Sequence, residues 1–264
     1  MLLCIDTGNT QTVIGLFDGA KLADHWRIAT VAERTADELA LMIQQFLGFH
    51  GFAPFVVGDR SATSTLPVTG LALSSGVPRV TTEIREMCER YFGFEALVLE
   101  PGVRTGMPIL YDNPKEVGAD RIANAVAAYD QYGGPSIVVD FGTANTIEAV
   151  SEQGEYLGGA IFPGIDISMN ALFDRAAALR RVELVAPRNV IGKSTVESIQ
   201  SGAVYGFSGQ VDALVDRFQD ELGVCTVVAT GGLAEPILPH SRTIEHYEPW
   251  LTLQGLRIIF ERNQ

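Results

Sequence analysis

The chain has 264 residues, 47% hydrophobic and 19% charged, enough apolar material for one large domain or two small ones. A formal net charge of −13 argues against nucleic acid or an anionic membrane as the main partner. No apolar run is long enough to span a bilayer, and no basic leader with a cleavage site opens the chain, so neither a membrane span nor a signal peptide is expected.

Residues 1–6, 11–18 and 20–29 read as three strands, with turns at Thr7–Asn9 and Asp18-Gly19. Thr35-Ala36-Asp37-Glu38 is a capping box and opens a helix. Leu39, Met42, Ile43, Phe46 and Leu47 recur on one face of that helix, which predicts packing on a sheet. Gly48 to Pro67 is rich in turn formers around the apolar run Phe55-Val56-Val57. A short strand at Leu71–Leu73, a helix over 80–92 and a strand at Ala96–Leu99 complete a β-β-β-α-β-α-β half. Breakers at Pro101-Gly102, Gly106, Pro108 and Asn113-Pro114 make the next segment a loop.

An alanine-rich helix over 117–131 leads into the second half. There the order begins again, with strands at 136–140, 146–151 and 156–161 and a helical pattern from Ile167 to Leu179. A second capping box, Ser194-Thr195-Val196-Glu197, opens a long helix that carries Val211, Leu214, Val215, Phe218 and Leu222 in step. Gly202, Gly206 and Gly209 lie inside it, which predicts close approach of backbone or ligand, or tight packing. A strand at 225–229 ends in Thr230-Gly231-Gly232, a turn suited to a nucleobase or ribose with a helix opening at Ala234. A last helix runs from Thr252 to Arg262. The glycine-rich run Gly158–Gly164 reads as a ligand-lining segment rather than a plain strand.

The chemistry concentrates in two matching stretches. Cys4-Ile5-Asp6-Thr7-Gly8-Asn9-Thr10 and Val138-Val139-Asp140-Phe141-Gly142-Thr143-Ala144 each run from an apolar strand through one carboxylate into a Gly and hydroxyl turn, then into a second strand. Such a turn handles phosphate, because Gly lets the backbone approach and successive N–H groups and hydroxyls point at the oxygens. One copy is an ordinary hairpin turn; two copies, one opening each half, indicate a duplicated domain.

Gly192-Lys193-Ser194-Thr195 has the ending of a P-loop, but Pro187 stands where the first Gly belongs and no strand precedes it. Thr195 remains a candidate ligand at a helix N-terminus. Gly118-Ala119-Asp120-Arg121 puts a carboxylate beside a guanidinium, which suits an acceptor with a hydroxyl at one end and an anion at the other. The same residues are equally an Asp favoured by the helix dipole followed by a surface Arg. Cys4, Cys88 and Cys225 show no metal-ligand spacing and fit thiols of a reducing compartment, Cys4 and Cys225 lying in apolar runs. The four His are scattered with no nucleophile beside them, so a hydrolytic triad has no support.

The paired turns resemble those of the actin-like superfamily of sugar kinases, acetate kinases and heat-shock ATPases. Within it the chain is most similar to type III pantothenate kinases. Asp6–Thr10, Pro101–Gly106, Tyr111–Pro114, Gly118–Arg121, Asp140–Thr143, Gly158–Gly164, Thr230–Gly232 and Leu251–Leu256 carry the resemblance from end to end. It implies an α/β, duplicated ribonuclease H-like (actin-like ATPase) fold of two β-β-β-α-β-α domains, 1–117 and 118–264, with a nucleotide cleft. It also implies transfer of the γ-phosphoryl of ATP, with Mg2+, to the 4′-hydroxyl of pantothenate, the first step of coenzyme A synthesis.

Carried over by position, Asp6, Thr7, Gly8, Asn9, Thr10, Gln11, Thr12 and Val13 would bind ATP phosphates, with Thr143 adding a donor. Asp120 would accept the proton. Tyr111, Gly118, Ala119, Asp120, Arg121 and Thr195 would bind pantothenate, and Asp140 would hold a monovalent cation, K+ or NH4+. A cytoplasmic homodimer is implied as well. The chain departs from the family pattern at Asn145, at Gly76 within Ser74–Pro78, and at Arg180. The alternatives are a kinase for another small hydroxyl substrate and a non-catalytic regulator on the same scaffold.

Overall fold

The computed structural model describes residues 1–52, 68–176 and 179–264, so the run Phe55-Val56-Val57 lies outside the described residues. Among the described residues the chain forms two compact units. The first holds residues 1–106, 115–123 and 252–264; the second holds 107–114 and 124–251.

In the first unit, β1 (Leu2–Thr7), β2 (Gln11–Asp18) and β3 (Lys21–Ala29) form an antiparallel meander. Strands β4 (Gly70–Ser75) and β5 (Leu97–Val98) add in parallel on the other side of β1, giving the order β3-β2-β1-β4-β5. Strand alternation sends Leu3, Ile5, Leu71 and Leu73 to one face. Helices α1 (Ala36–Phe49) and α2 (Pro78–Met87) cover that face with Leu39, Ile43, Leu47, Val80 and Ile84. The capping box forms as read: Thr35 Oγ1 accepts from the Glu38 N–H, and the Glu38 carboxylate accepts from the Thr35 N–H. The stretch read as one helix over 80–92 ends as α2 at Met87 and continues as a π-helical turn over Cys88–Phe92.

The opposite face takes the closing helix α6 (Leu251–Glu261). Gly15 and Gly70 supply the room: a Cβ at Gly15 would meet Leu253 Cδ1 at 2.8 Å, and one at Gly70 would strike the Phe260 ring.

The second unit repeats the plan. Strands β6 (Ser136–Phe141), β7 (Ala144–Val150) and β8 (Tyr156–Pro163) form the meander. Strands β9 (Thr226–Thr230) and β10 (His246–Tyr247) complete it in parallel, in the matching order β8-β7-β6-β9-β10. Ile137, Val139, Phe141, Ile147 and Val227 face α4 (Ile165–Arg175) and the 28-residue α5 (Thr195–Leu222), whose Phe207, Val211 and Val215 complete the core. Helix α3 (Ala119–Tyr132) begins in the first unit and runs on into the second.

The strand expected at 156–161 forms and extends to Pro163; it is not a plain strand, being bulged against β7 at Ala149/Val150. Three expectations are corrected in this unit. At α5, Ser194 caps the Glu197 N–H, but the Glu197 carboxylate is drawn to the Lys193 N–H and to Arg188, so the box is not reciprocal. No α-helix opens at Ala234, because Pro236 and Pro239 withhold two N–H groups and the chain makes a single turn and then a 3-10 turn at Leu238–His240. Around Gly202, Gly206 and Gly209 an added Cβ would meet nothing within 4 Å, so among the described residues no backbone or side chain of this chain packs closely on them.

Candidate active site

The duplicated sheet puts the two carboxylates at matching places. Asp6 is the penultimate residue of β1, paired with Val13 on β2 and Ser74 on β4. Asp140 is the penultimate residue of β6, paired with Thr146 on β7 and Thr230 on β9. The neighbours of each on its own strand, Ile5 and then Val139 and Phe141, belong to the helix-covered cores, so both carboxylates project from the other face of their sheets. Each is flanked on the parallel strand by a hydroxyl residue that is 2% exposed. The backbone repeats too: Thr7 O accepts from the Gly76 N–H at 3.0 Å, and Phe141 O accepts from the Leu233 N–H at 3.2 Å.

The turns themselves differ. In the first, the Gly8 N–H donates to Gln11 O at 3.0 Å, so this donor is committed to the turn. Thr30 Oγ1 donates to Gly8 O at 2.8 Å and lies 2.9 Å from Thr12 Oγ1, tying the turn to β3. Asn9, Thr10 and Gln11 form the exposed rim, while Thr7 and Thr12 are buried and Val13 is half-buried. In the second, the Gly142 N–H donates to Ala144 O at 3.2 Å and the Gly164 N–H to Thr143 O at 3.1 Å; the Thr143 side chain is exposed. Gly164 is glycine because the carbonyls of Gly142 and Thr143 occupy the space of a Cβ.

Asp140 is closely held. Asn124 Nδ2 donates to its Oδ2 at 2.9 Å. Its other oxygen lies against Gly231, where a Cβ would stand 2.5 Å from Oδ1. The sequence reading missed Asn124, although a lone amide one helical turn after Asp120, among Ala123 and Ala125–Ala128, was a usable signal. Gly231, read as a nucleoside contact, is the residue that lets β9 pass beside this carboxylate.

At the start of α3, the Arg121 N–H donates to Asp120 Oδ1 at 2.9 Å, and Gly118 leaves room for that carboxylate, since a Cβ there would lie 2.5 Å from the same oxygen. Asp120 is exposed, Gly118 and Ala119 are half-buried, and Arg121 is only 7% exposed. A guanidinium so buried is not a surface Arg. In the second unit, Tyr111 is half-buried against Tyr156, with ring centroids 6.3 Å apart. Thr195 is the first residue of α5, on the rim of an open groove between α4 and α5 lined by Ser168, Met169, Leu172, Ile199 and Phe207.

The two matched sheets, each with an Asp and a Gly turn at the same strand end, are the duplicated ribonuclease H-like fold of actin-like ATPases and sugar kinases. Solved structures agree on the fold. The chain is similar to a putative Baf family transcriptional activator from Campylobacter jejuni, with a TM-score of 0.60, 19% identity and coverage of 99% of this chain and 98% of that one. It is also similar to a polyphosphate/ATP-glucomannokinase from Arthrobacter, with a TM-score of 0.52, 14% identity and coverage of 100% and 99%. Residues 2–217 match the family model of type III pantothenate kinase. A type III pantothenate kinase of Streptomyces griseus is 56% identical over 100% of this chain and 98% of its own length. This chain belongs to the type III pantothenate kinase family.

Proposed function

We propose that the chain transfers the γ-phosphoryl group of ATP to the 4′-hydroxyl of pantothenate, the first step of coenzyme A biosynthesis. The observation that carries this reading is the exposed Asp120 followed at once by the buried Arg121 at the head of α3. Pantothenate is a hydroxyl at one end and a carboxylate at the other, and this pair answers both. Asp120 accepts the hydroxyl proton as that oxygen attacks the γ-phosphorus; the bond to the β,γ-bridging oxygen breaks and ADP leaves. Arg121 binds the acceptor's carboxylate with its planar fork. Tyr111, Gly118, Ala119 and Thr195 complete the acceptor site.

Residues Asp6 to Val13 hold the phosphates of ATP, with Thr143 contributing from the second turn. The committed Gly8 N–H leaves the exposed rim residues Asn9, Thr10 and Gln11 as the part of that turn offered to the nucleotide. Mg2+ bound with ATP would neutralise the charge of the phosphates. Asp140 would hold K+ or NH4+, since its turn offers oxygen donors and neither thiolate nor imidazole. Apolar surface at Leu172, Ile191 and Val196 supports a homodimer, and the three buried free cysteines support a reducing, cytoplasmic setting. No helix among the described residues is long and apolar enough to cross a membrane.

The test is ADP release with ATP, Mg2+ and pantothenate, in K+ and in Na+, for the parent and Asp120→Asn. Potassium-dependent, pantothenate-dependent turnover that falls by about 10²–10⁴-fold in the variant is expected of a general base. Turnover unchanged in Asp120→Asn refutes the base. A folded protein that shows no turnover in either K+ or Na+ refutes pantothenate as its acceptor.

A further inference from the structure

The segment carrying Tyr111 is pinned to one residue of β8. The Leu110 N–H donates to Tyr156 O at 2.8 Å, and the Tyr156 N–H donates to Pro108 O at 2.9 Å, forming a parallel bridge between Ile109 and Tyr156. The Tyr111 ring leans on the Tyr156 ring at 59° and lies over Gly158, where a Cβ would stand 3.4 Å from it. Gly158 has a φ of +127°, a conformation that strains any residue with a side chain.

Tyr156 is wholly buried, and its hydroxyl donates to Glu148 Oε2. Glu148, on β7, is also wholly buried, and Gly159 leaves space for it: a Cβ there would lie 2.8 Å from Glu148 Oε2. All five of these residues belong to the second unit. A wholly buried carboxylate is costly unless it is hydrogen-bonded, and the Tyr156 hydroxyl is one of the groups that meets this one. What the pair supplies is a fixed hydroxyl that sets the Tyr156 ring, and through it the Tyr111 ring.

We infer that Glu148 and Tyr156 are positioning residues for acceptor binding, acting through Tyr111. Neither touches solvent, so neither touches substrate. The inference rests on the reading of Tyr111 as a pantothenate contact.

Tyr156→Phe keeps the ring and the backbone bridge and deletes the hydroxyl alone. Calorimetric Kd and KM for pantothenate are expected to rise about tenfold, or about 1.4 kcal/mol, with KM for ATP and kcat held within about twofold. In a Tyr111→Ala background the same change should move pantothenate affinity by less than about twofold, because the group being positioned is gone. An equal rise in both backgrounds, or a joint loss of ATP and pantothenate affinity, is the signature of general structural damage and overturns the inference.

Two failures are distinguishable. If Tyr111→Ala leaves pantothenate affinity unchanged, the reading of Tyr111 fails and takes the inference with it. If Tyr111→Ala weakens binding and Tyr156→Phe does not, the inference alone fails. Should Tyr156→Phe not fold, Glu148→Gln enters the same cycle. Its amide oxygen still accepts the hydroxyl, so it should give a smaller rise that likewise vanishes with Tyr111→Ala.

Discussion

Gly231→Ala probes the most closely determined point of the second turn. Gly231 has a φ of +95°, and its Cβ would lie 2.5 Å from Asp140 Oδ1 and 2.6 Å from both the N and the O of Phe141. The left-handed backbone costs a residue with a side chain about 1–2 kcal/mol. Forcing a methyl into occupied space costs about 1–3 kcal/mol more, toward the upper end here because the Phe141 atoms are backbone and cannot rotate away. The sum is about 2–5 kcal/mol. For a protein of this size that lowers the thermal midpoint by about 5–15 °C. The Asp140 carboxylate is the neighbour that can move, and moving it breaks its hydrogen bond from Asn124. The proposed potassium activation should therefore weaken in the variant at temperatures where it is still folded. The assay is a thermal scan by circular dichroism, followed by a potassium titration of ADP release well below the midpoint. A midpoint within about 1 °C of the parent would show that Gly231 does not pass beside β6 in this way, and the argument would fail.

Gly209→Ala should have the opposite sign, because Gly209 lies in the interior of α5 with nothing within 4 Å of an added Cβ. A gain of about 0.5–1 kcal/mol, read as a small rise in the same midpoint, is expected from the reduced freedom of the unfolded chain. Asp212 on α5 accepts from the hydroxyls of Ser241 and Thr243 and from the N–H groups of Arg242 and Thr243. Burial pushes its pKa up, but these hydrogen bonds outweigh it and hold the carboxyl below the ordinary value of 3.8. A depressed acid stabilises the fold above that ordinary value and ceases to as pH falls through its lower folded value. Asp212→Ala should accordingly cost about 1–3 kcal/mol at pH 7, with the difference from the parent shrinking below pH 3.8 in urea titrations. A difference independent of pH would show that the carboxylate charge is not what holds residues 241–243.

Most of both sheets was legible because each strand pattern was local. Alternation places β1 to β3 and β6 to β8, with the turn at Asp18-Gly19 between β2 and β3, and Thr35 with Glu38 fixes the start of α1. Elements decided by distant partners were not legible. The two-residue β10 exists only because His246 and Tyr247 find β9, and no periodicity marks it. Glu197 was read as half of a capping box, but Arg188 and the Lys193 N–H compete for its carboxylate. The glycines show the same limit. Sequence located Gly158, Gly159, Gly164 and Gly231 without showing what each makes room for: the Tyr111 ring, Glu148, two turn carbonyls and Asp140. It also read three glycines of α5 as close approach of backbone or ligand, or as tight packing, and among the described residues nothing of this chain packs on them. At the site, the strand-end carboxylates and the Asp120-Arg121 pair were visible as motifs. Asn124 and Glu148 were not, since each acts through a residue distant in sequence.

The duplication itself bears on how labour is divided between the two turns. Both carboxylates come from the same position of the same strand plan, so their differences lie in what each unit has placed around them. The first turn is one residue longer between its strands, Gly8 to Thr10 against Gly142 and Thr143, and it presents an exposed rim of amide and hydroxyl side chains. The second is short, and its carboxylate has an amide on one oxygen and a bare glycine against the other. A flexible polyanion such as a triphosphate is best met by a longer turn that offers many donors. A small cation is best met by a carboxylate whose orientation is already fixed, because no reorganisation is then needed on binding. The asymmetry therefore supports assigning nucleotide phosphates to the first turn and the monovalent cation to the second. It also gives Asn124 a place in the argument. Standing one helical turn beyond Asp120 on α3, Asn124 makes the helix that carries the proposed base also the helix that orients the proposed cation ligand.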